Sequence, residues 1–214
     1  MSDLKIQHVS VTGGFWAERQ RLAAEKTLWE QLEILKGNRN DLSPEVCSHA
    51  VENFRIAAGL SDQPYLGTVC NDSEVGKWIE AAAYSLKHYP NSALEKEVDT
   101  LINLIVQTQM PDGYLNTYFQ VLYPQERFKH FGFNCELYDM GHLMEAAAAY
   151  YAVTGKRKLL DAMCKLGDLL CDRIGSGEDQ LHVYDGHAEI ELGLLALYEA
   201  TGIEKYLDLS AYFV

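Results

Sequence analysis

The sequence lacks any stretch near the roughly 18 uninterrupted apolar residues that a membrane helix requires. Its opening, MSDLKIQHVS, carries no apolar h-region either, so a soluble cytoplasmic protein is expected. Positive charge is scarce: 18 Lys and Arg stand against 31 Asp and Glu, a formal charge of −13 that repels phosphate backbones and anionic membranes. Neither nucleic acid nor a membrane is an expected partner. Cys47, Cys70, Cys135, Cys164 and Cys171 are odd in number and form no CxxC pair, so a disulfide framework is not expected. Cys164 and Cys171, seven apart in an apolar helical pattern, read as small core residues on one helix face. HExxH, GxGxxG ahead of a helix and a phosphate-loop lysine are all absent, so no metal or nucleotide cofactor is assigned to the chain. His182 and His187 flank Asp185-Gly186 at a spacing that suits loop hydrogen bonding as well as metal ligation.

What the sequence does contain is enough for one globular domain: 214 residues, 48% hydrophobic and 23% charged, bury a sizeable core. The alternation Ile6–Val11 suggests a short edge strand, and Gly13-Gly14 then precedes a helix over about Trp16–Lys36. A short helix is expected within Glu45–Ala58. From Asp72 onward the chain reads as helical hairpins. Asn71-Asp72-Ser73 can cap a helix to about Tyr89, and Pro90-Asn91-Ser92 turns it into Ala93–Gln109. A second hairpin joins Tyr138–Thr154 to Lys158–Ile174 through Gly155, and a third joins His187–Thr201 to the helix from Glu204 through Gly202.

These hairpins repeat. Glu80-Ala-Ala-Ala and Glu145-Ala-Ala-Ala are 65 residues apart, as are Leu94 and Leu159, whereas Thr154-Gly155 recurs as Thr201-Gly202 at 47. The unit is therefore reused with insertions of variable length, and such insertions usually occupy one functional face. In the second helix of a hairpin, Leu160, Met163, Gly167, Leu170 and Ile174 trace one apolar stripe with Asp161, Lys165 and Asp172 away from it. That helix belongs outside. The first helices are apolar or small nearly all round, at Leu143-Met144 with Ala146–Ala149 and at Ile190 with Leu192–Leu197, and so belong inside. Strict alternation of inner and outer helices describes an all-α, (α/α)6 toroid-type architecture. Six hairpins close such a ring and about three and a half are readable, so residues 1–214 are expected to be the N-terminal part of a barrel domain.

Alternate helices in such a ring run parallel, which brings the segments entering the inner helices to one rim. Those segments are Asn71-Asp72-Ser73, Asn134–His142 and Tyr184–His187. They converge carboxylates, imidazoles, phenols and amides, the groups that grip a neutral polyhydroxy ligand such as a sugar. His142 and His187 both follow Gly, open inner helices and are preceded by acidic residues, which marks them as candidate substrate contacts. Asp72, Glu136 and Tyr138 join them. Tyr84, Tyr150, Tyr151 and Tyr198 are expected to fill helix interfaces, and Glu80 and Glu145 to be structural carboxylates.

Several motifs in order resemble glycoside hydrolase family 127, the β-L-arabinofuranosidase-like proteins. They are Gly14-Phe15-Trp16, Asn53-Phe54-Arg55 with Ala57-Ala58-Gly59, Asp72–Ala81, Gln109–Tyr118, Cys135–Leu143 and Gly186–Leu192. The resemblance implies an (α/α)6 barrel that hydrolyses terminal arabinofuranosides with retention, through a cysteine nucleophile held by zinc and a glutamate acid/base. It also implies sugar-hydroxyl contacts by His142 and His187, and Asp112 in the Gln109–Tyr118 segment joins the candidates. The family's zinc ligands and catalytic pair belong to segments with no match in this chain, so zinc is implied for a full-length member, with no catalytic residue or metal ligand assigned here. Glu45-Val46-Cys47 reads Glu-x-Cys out of position. Cys135 stands where the family usually has His. The chain is expected to be inactive alone, with a carbohydrate as partner and either a homo-oligomer or a missing segment covering its apolar inner helices. Two other readings fit the same residues: a sugar epimerase or isomerase in which His142 and His187 exchange protons next to a carbonyl, and a non-catalytic carbohydrate-binding or assembly module.

Overall fold

A computed structural model describes residues 9–39, 41, 43 and 48–214. Ile6–His8, Glu45–Cys47 and the Glu-x-Cys motif lie outside the described residues. Residues 9–11 form no strand, and the sole extended pairing among the described residues is an isolated bridge between Ile174 and Leu181.

The first helical stretch is continuous, as α1 (Gly14–Leu22), a π-helical turn at Ala23–Thr27 and α2 (Leu28–Leu35). Trp78 anchors it by donating its indole N–H to the Leu28 carbonyl at 2.9 Å. The expected short helix is α3 (Ala50–Ala57). The hairpins follow as α4 (Asn71–His88) with α5 (Ser92–Thr108), α7 (Glu136–Thr154) with α8 (Lys158–Arg173), and α9 (Ile190–Thr201) with α10 (Glu204–Phe213). Asn91 caps α5 by accepting from the backbone of Ala93 and Leu94, which satisfies two of the donors a helix start leaves unpaired. Gly155 and Gly202 close α7 and α9 in the left-handed conformation that favours glycine. Between α5 and α7 the longest insertion carries α6 (Thr117–Val121) and a 3-10 turn at Pro124–Glu126.

α4 packs most extensively on α7, and α7 on α9. These three form an inner row whose apolar faces meet one another, and α5, α8 and α10 back it with wet outer sides, Asp161, Lys165 and Asp172 being exposed on α8. The all-α, alternating arrangement agrees with the sequence pattern. Tyr150 fills an interface as expected, fully buried with its hydroxyl on Asp99 of the outer row at 2.8 Å. Tyr84 does not: it is 40% exposed. Cys164 and Cys171 stand half-buried at the edge of the α8 stripe. On α9, Leu192 and Leu195 face outward.

Two details differ from the sequence reading. The residue capping α4 is Cys70, and it makes no side-chain cap bond, so Asn71, Asp72 and Ser73 lie in the first turn, all buried. α9 starts at Ile190, three residues after His187, because the 181–189 segment is fixed by tertiary bonds such as Gly186 N–H to the Phe131 carbonyl at 2.9 Å. His187 therefore precedes its helix, and His142 sits in the second turn of α7.

A disulfide joins Cys70 to Cys135. This corrects the cysteine reading: parity and the lack of CxxC describe sequence neighbours, whereas the 65-residue repeat brings equivalent residues of adjacent inner helices side by side.

Candidate functional site

The inner helices start at a common rim, and carboxylates at those starts seize the long insertion between α5 and α7. Asp72 accepts from the Thr117 backbone N–H and hydroxyl, both at 2.6 Å. Asp139 accepts from the Ser73 N–H at 3.0 Å and the Asn116 amide at 2.9 Å. Glu136, with no exposure, accepts from the Tyr114 hydroxyl at 2.5 Å and the Phe128 N–H at 3.0 Å. Asp112 pairs with Arg127 at 2.7 Å, whose guanidinium lies 3.6 Å from the centre of the Tyr114 ring. Among the candidates, Asp72, Glu136 and Asp112 thus have their carboxylates engaged by the protein.

The other three candidates come together. The Tyr138 ring lies edge-on to His142 at 4.6 Å between centroids and tilted to His187 at 5.1 Å. Lys77 of α4 donates to the Tyr138 hydroxyl at 2.6 Å, and its ammonium also approaches the Tyr138 ring. All three rings are partly exposed. Each imidazole is backed by carboxylate. Glu189 lies 3.0 Å and Glu145 3.5 Å from His142 Nδ1, and Asp185 lies 3.8 Å from His187 Nδ1 while accepting from the His187 N–H. Such backing favours a charged imidazole electrostatically. Glycines make it possible. A Cβ on Gly141 would sit 2.8 Å from the Glu189 carbonyl oxygen, and one on Gly193 would sit 2.7 Å from Gly141 Cα, so α7 and α9 pass at backbone contact.

Lys77 and Glu189 escaped the sequence reading, whereas Asp185 was read there as the acidic residue ahead of His187. The repeat offset held the signal for Lys77, which is the 65-residue equivalent of His142. The i, i+3 spacing of His142 and Glu145 on one helix held it for Glu145, whose structural role is to face the imidazole. Nothing local marks Glu189, which reaches His142 only through the α7–α9 crossing.

Two hollows adjoin this cluster. A cavity of about 760 Å³ between α2 and α4 is lined by Gln31, His49, Thr68, Glu74, Lys77 and Trp78, and Lys77 is its link to Tyr138. A second, of about 320 Å³, is lined by Glu80, Tyr84, Glu145 and small residues of α7 and α9.

Burial pushes Asp72 up to about 6 against the bonds from Thr117, and raises Asp139 well above the usual carboxylate range, with the Asp72 charge adding to the effect. Burial works against the His142 cation, yet the carboxylates of Glu145 and Glu189, 3.5 and 3.0 Å from Nδ1, push it up to about 9. All three shifts have one sign. The folded state holds protons that the unfolded chain has already released, so stability is full below the ordinary values of 3.8 and 6.5 and is lost as pH rises through the folded ones. The melting temperature is expected to fall from pH 5 to pH 9, the upper stage disappearing in His142→Gln. A flat or rising profile in differential scanning fluorimetry contradicts this.

His142, Glu145 and Glu189 offer donor atoms within 4.8 Å of one another, a carboxylate–imidazole set suited to a divalent cation of oxygen and nitrogen preference. A zinc-held cysteine needs a thiolate set. Among the described residues, Cys70 and Cys135 are bonded to each other and Cys164 and Cys171 lie on the outer helix α8, so these residues do not fit that group and no step is routed through it.

Comparison with known proteins reports the same architecture. The family model of the β-L-arabinofuranosidase GH127 catalytic domain matches residues 8–214. A non-reducing end β-L-arabinofuranosidase of Bifidobacterium longum subsp. longum is 37% identical, over 97% of this chain and 33% of its own length. The crystal structure of a GH127 β-L-arabinofuranosidase from Geobacillus stearothermophilus T6 superposes with a TM-score of 0.92 at 47% identity, covering 96% of this chain and 32% of the other. A further GH127 β-arabinofuranosidase structure gives 0.85 at 34%, over 97% and 32%. The chain thus spans about a third of the length of these relatives. With a family model over nearly every residue and a relative's fold superposing over 96% of it, the chain belongs to the GH127 β-L-arabinofuranosidase catalytic-domain family.

Proposed function

We propose that this chain forms one wall of the carbohydrate pocket of a retaining glycosidase acting on terminal β-L-arabinofuranosides. Tyr138, His142 and His187 contact the sugar, and Asp72, Glu136 and Asp112 hold the rim around it. The observation that carries the reading is the phenol of Tyr138 lying against two carboxylate-backed imidazoles beside Lys77. A phenol face packs on sugar C–H groups, and oriented N–H and ammonium donors serve its hydroxyls. In the same reading the nucleophile, the acid/base glutamate and the zinc that supports a cysteine thiolate belong to parts of the family fold other than these residues. The helices continue into a closed ring, and the outward Leu192 and Leu195 on α9 are covered by a further segment or a second copy. A cytoplasmic location is also part of it, resting on an opening sequence without an apolar h-region. Among the described residues no helix is long and apolar enough to cross a membrane.

Incubated with an aryl β-L-arabinofuranoside, the chain alone is expected to release no aryl alcohol above background. L-arabinose is expected to shift the ring-proton resonances of His142 and His187 in NMR spectra, an effect lost in Tyr138→Ala. Turnover like that of a relative three times as long would refute the first statement, and unmoved imidazole resonances would refute the second. The pairing of two imidazoles with one phenol also favours an epimerase as the second reading. Solvent deuterium entering recovered free sugar selects it.

A further inference from the structure

Cys70 and Cys135 are equivalent residues of adjacent inner helices, separated by the same 65 positions as Glu80 and Glu145. Each stands at the N-cap of a long helix, α4 of 18 residues and α7 of 19, and together they form the disulfide. Their surroundings differ in access. Cys135 is buried, whereas Cys70 is partly open to solvent next to the exposed 66–68 segment.

The positive end of a helix stabilises a thiolate at its N-cap. A disulfide between two such caps has a good leaving group on either side, and exchange rates rise as the leaving thiol's pKa falls. Attack is placed at Cys70, the partly exposed residue of the pair. We propose that the Cys70–Cys135 pair is a reversible redox modification site, a latch across the rim that opens and closes by exchange with small-molecule thiols and disulfides of the glutathione class.

In opening, the thiolate of a small thiol attacks Cys70 Sγ. The Cys70–Cys135 bond breaks, and its electron pair leaves on Cys135 Sγ as a thiolate under the α7 N-terminus. A second small thiolate attacks the outer sulfur of the mixed disulfide and releases Cys70 as its thiolate. The protein is thereby reduced by two electrons and takes up protons to the extent that each thiolate is protonated, and two small thiols are oxidised to one disulfide. Closing is the reverse, with the small-molecule disulfide as oxidant. What the latch governs is the rim. With it shut, the first turns of α4 and α7 are joined covalently; with it open, Ser73 N–H to Asp139 and Lys77 to Tyr138 remain among their ties.

The inference does not rest on the glycosidase reading. Its test equilibrates the protein in glutathione buffers of graded ratio, quenches with acid, alkylates and maps thiols by mass spectrometry, with the melting temperature measured at each ratio. Cys70 and Cys135 are expected to pass together between blocked and alkylated across ratios spanning reducing to oxidising cellular values, and to reverse. Closing a loop of this length should raise the melting point of the bridged form by roughly 8–16 °C. Reduced protein is expected to match the C70S/C135S variant. If that variant fails to fold, the thiol map of the unaltered protein decides alone. A bridge that millimolar glutathione never opens, or a pair that stays alkylatable under oxidising buffer, overturns the proposal.

Discussion

Glu136→Ala is expected to lose about 4 kcal/mol of stability, the cost of stranding one buried and one partly buried donor at roughly 1–3 kcal/mol each. In melting temperature that is roughly 8–16 °C for a chain of this size. The Tyr114 hydroxyl and the Phe128 N–H both end on this carboxylate, and Tyr114 has no exposure through which water can replace it. Phe128 also holds a φ of 60°, the one non-glycine residue in the left-handed region among the described residues, a conformation that persists only where surrounding bonds fix it. Glu136→Gln keeps an acceptor oxygen and much of the shape, so its loss should be less than half as large. Equal losses in the two variants, measured by urea denaturation with unchanged slopes, would show that charge rather than bonding holds the segment.

Gly193→Ala should cost at the upper end of the 1–3 kcal/mol typical of overpacking, about 3 kcal/mol, although it adds only a methyl group. The added carbon would lie 2.7 Å from both the Cα and the carbonyl oxygen of Gly141. Backbone cannot rotate aside as a side chain does, so α7 and α9 must separate along the crossing. That separation carries Glu189 from His142, and the variant should therefore also lower the imidazole pKa toward its ordinary 6.5, which NMR titration reads directly. A melting temperature within 2 °C of the parent sinks the close-crossing argument.

The helical hairpins were legible because their determinants are local: capping Asn91, glycine stops at 155 and 202, and apolar stripes at helical period. The 65-residue offset was legible as well. Its geometric meaning was harder to draw from Cys parity or single motifs, since it concerns which residues become neighbours around the inner row, as Cys70 and Cys135 do. The site was half legible. Tyr138, His142 and His187 were selected by residue type and rim position, and the structure gathers them, but Asp72, Glu136 and Asp112 share only the rim position and are spent on backbone and side-chain donors of the insertion. Sequence shows that a carboxylate exists near a helix start; only the fold shows whether its lone pairs are taken. Glu189 was missed because the contact that gives it meaning crosses between helices α7 and α9.

The grip of Asp72, Asp139 and Glu136 on residues 114–128 has a bearing on engineering. The insertion behaves as an interchangeable cassette whose sockets lie in the helices, and its plugs are Tyr114, Asn116, Thr117 and the Phe128 amide. A graft from a homologue that carries those four plugs and fills the core positions of Leu115 and Phe119 should seat without redesign of the helices, leaving the exposed Pro124-Gln125 turn free to vary in length and composition.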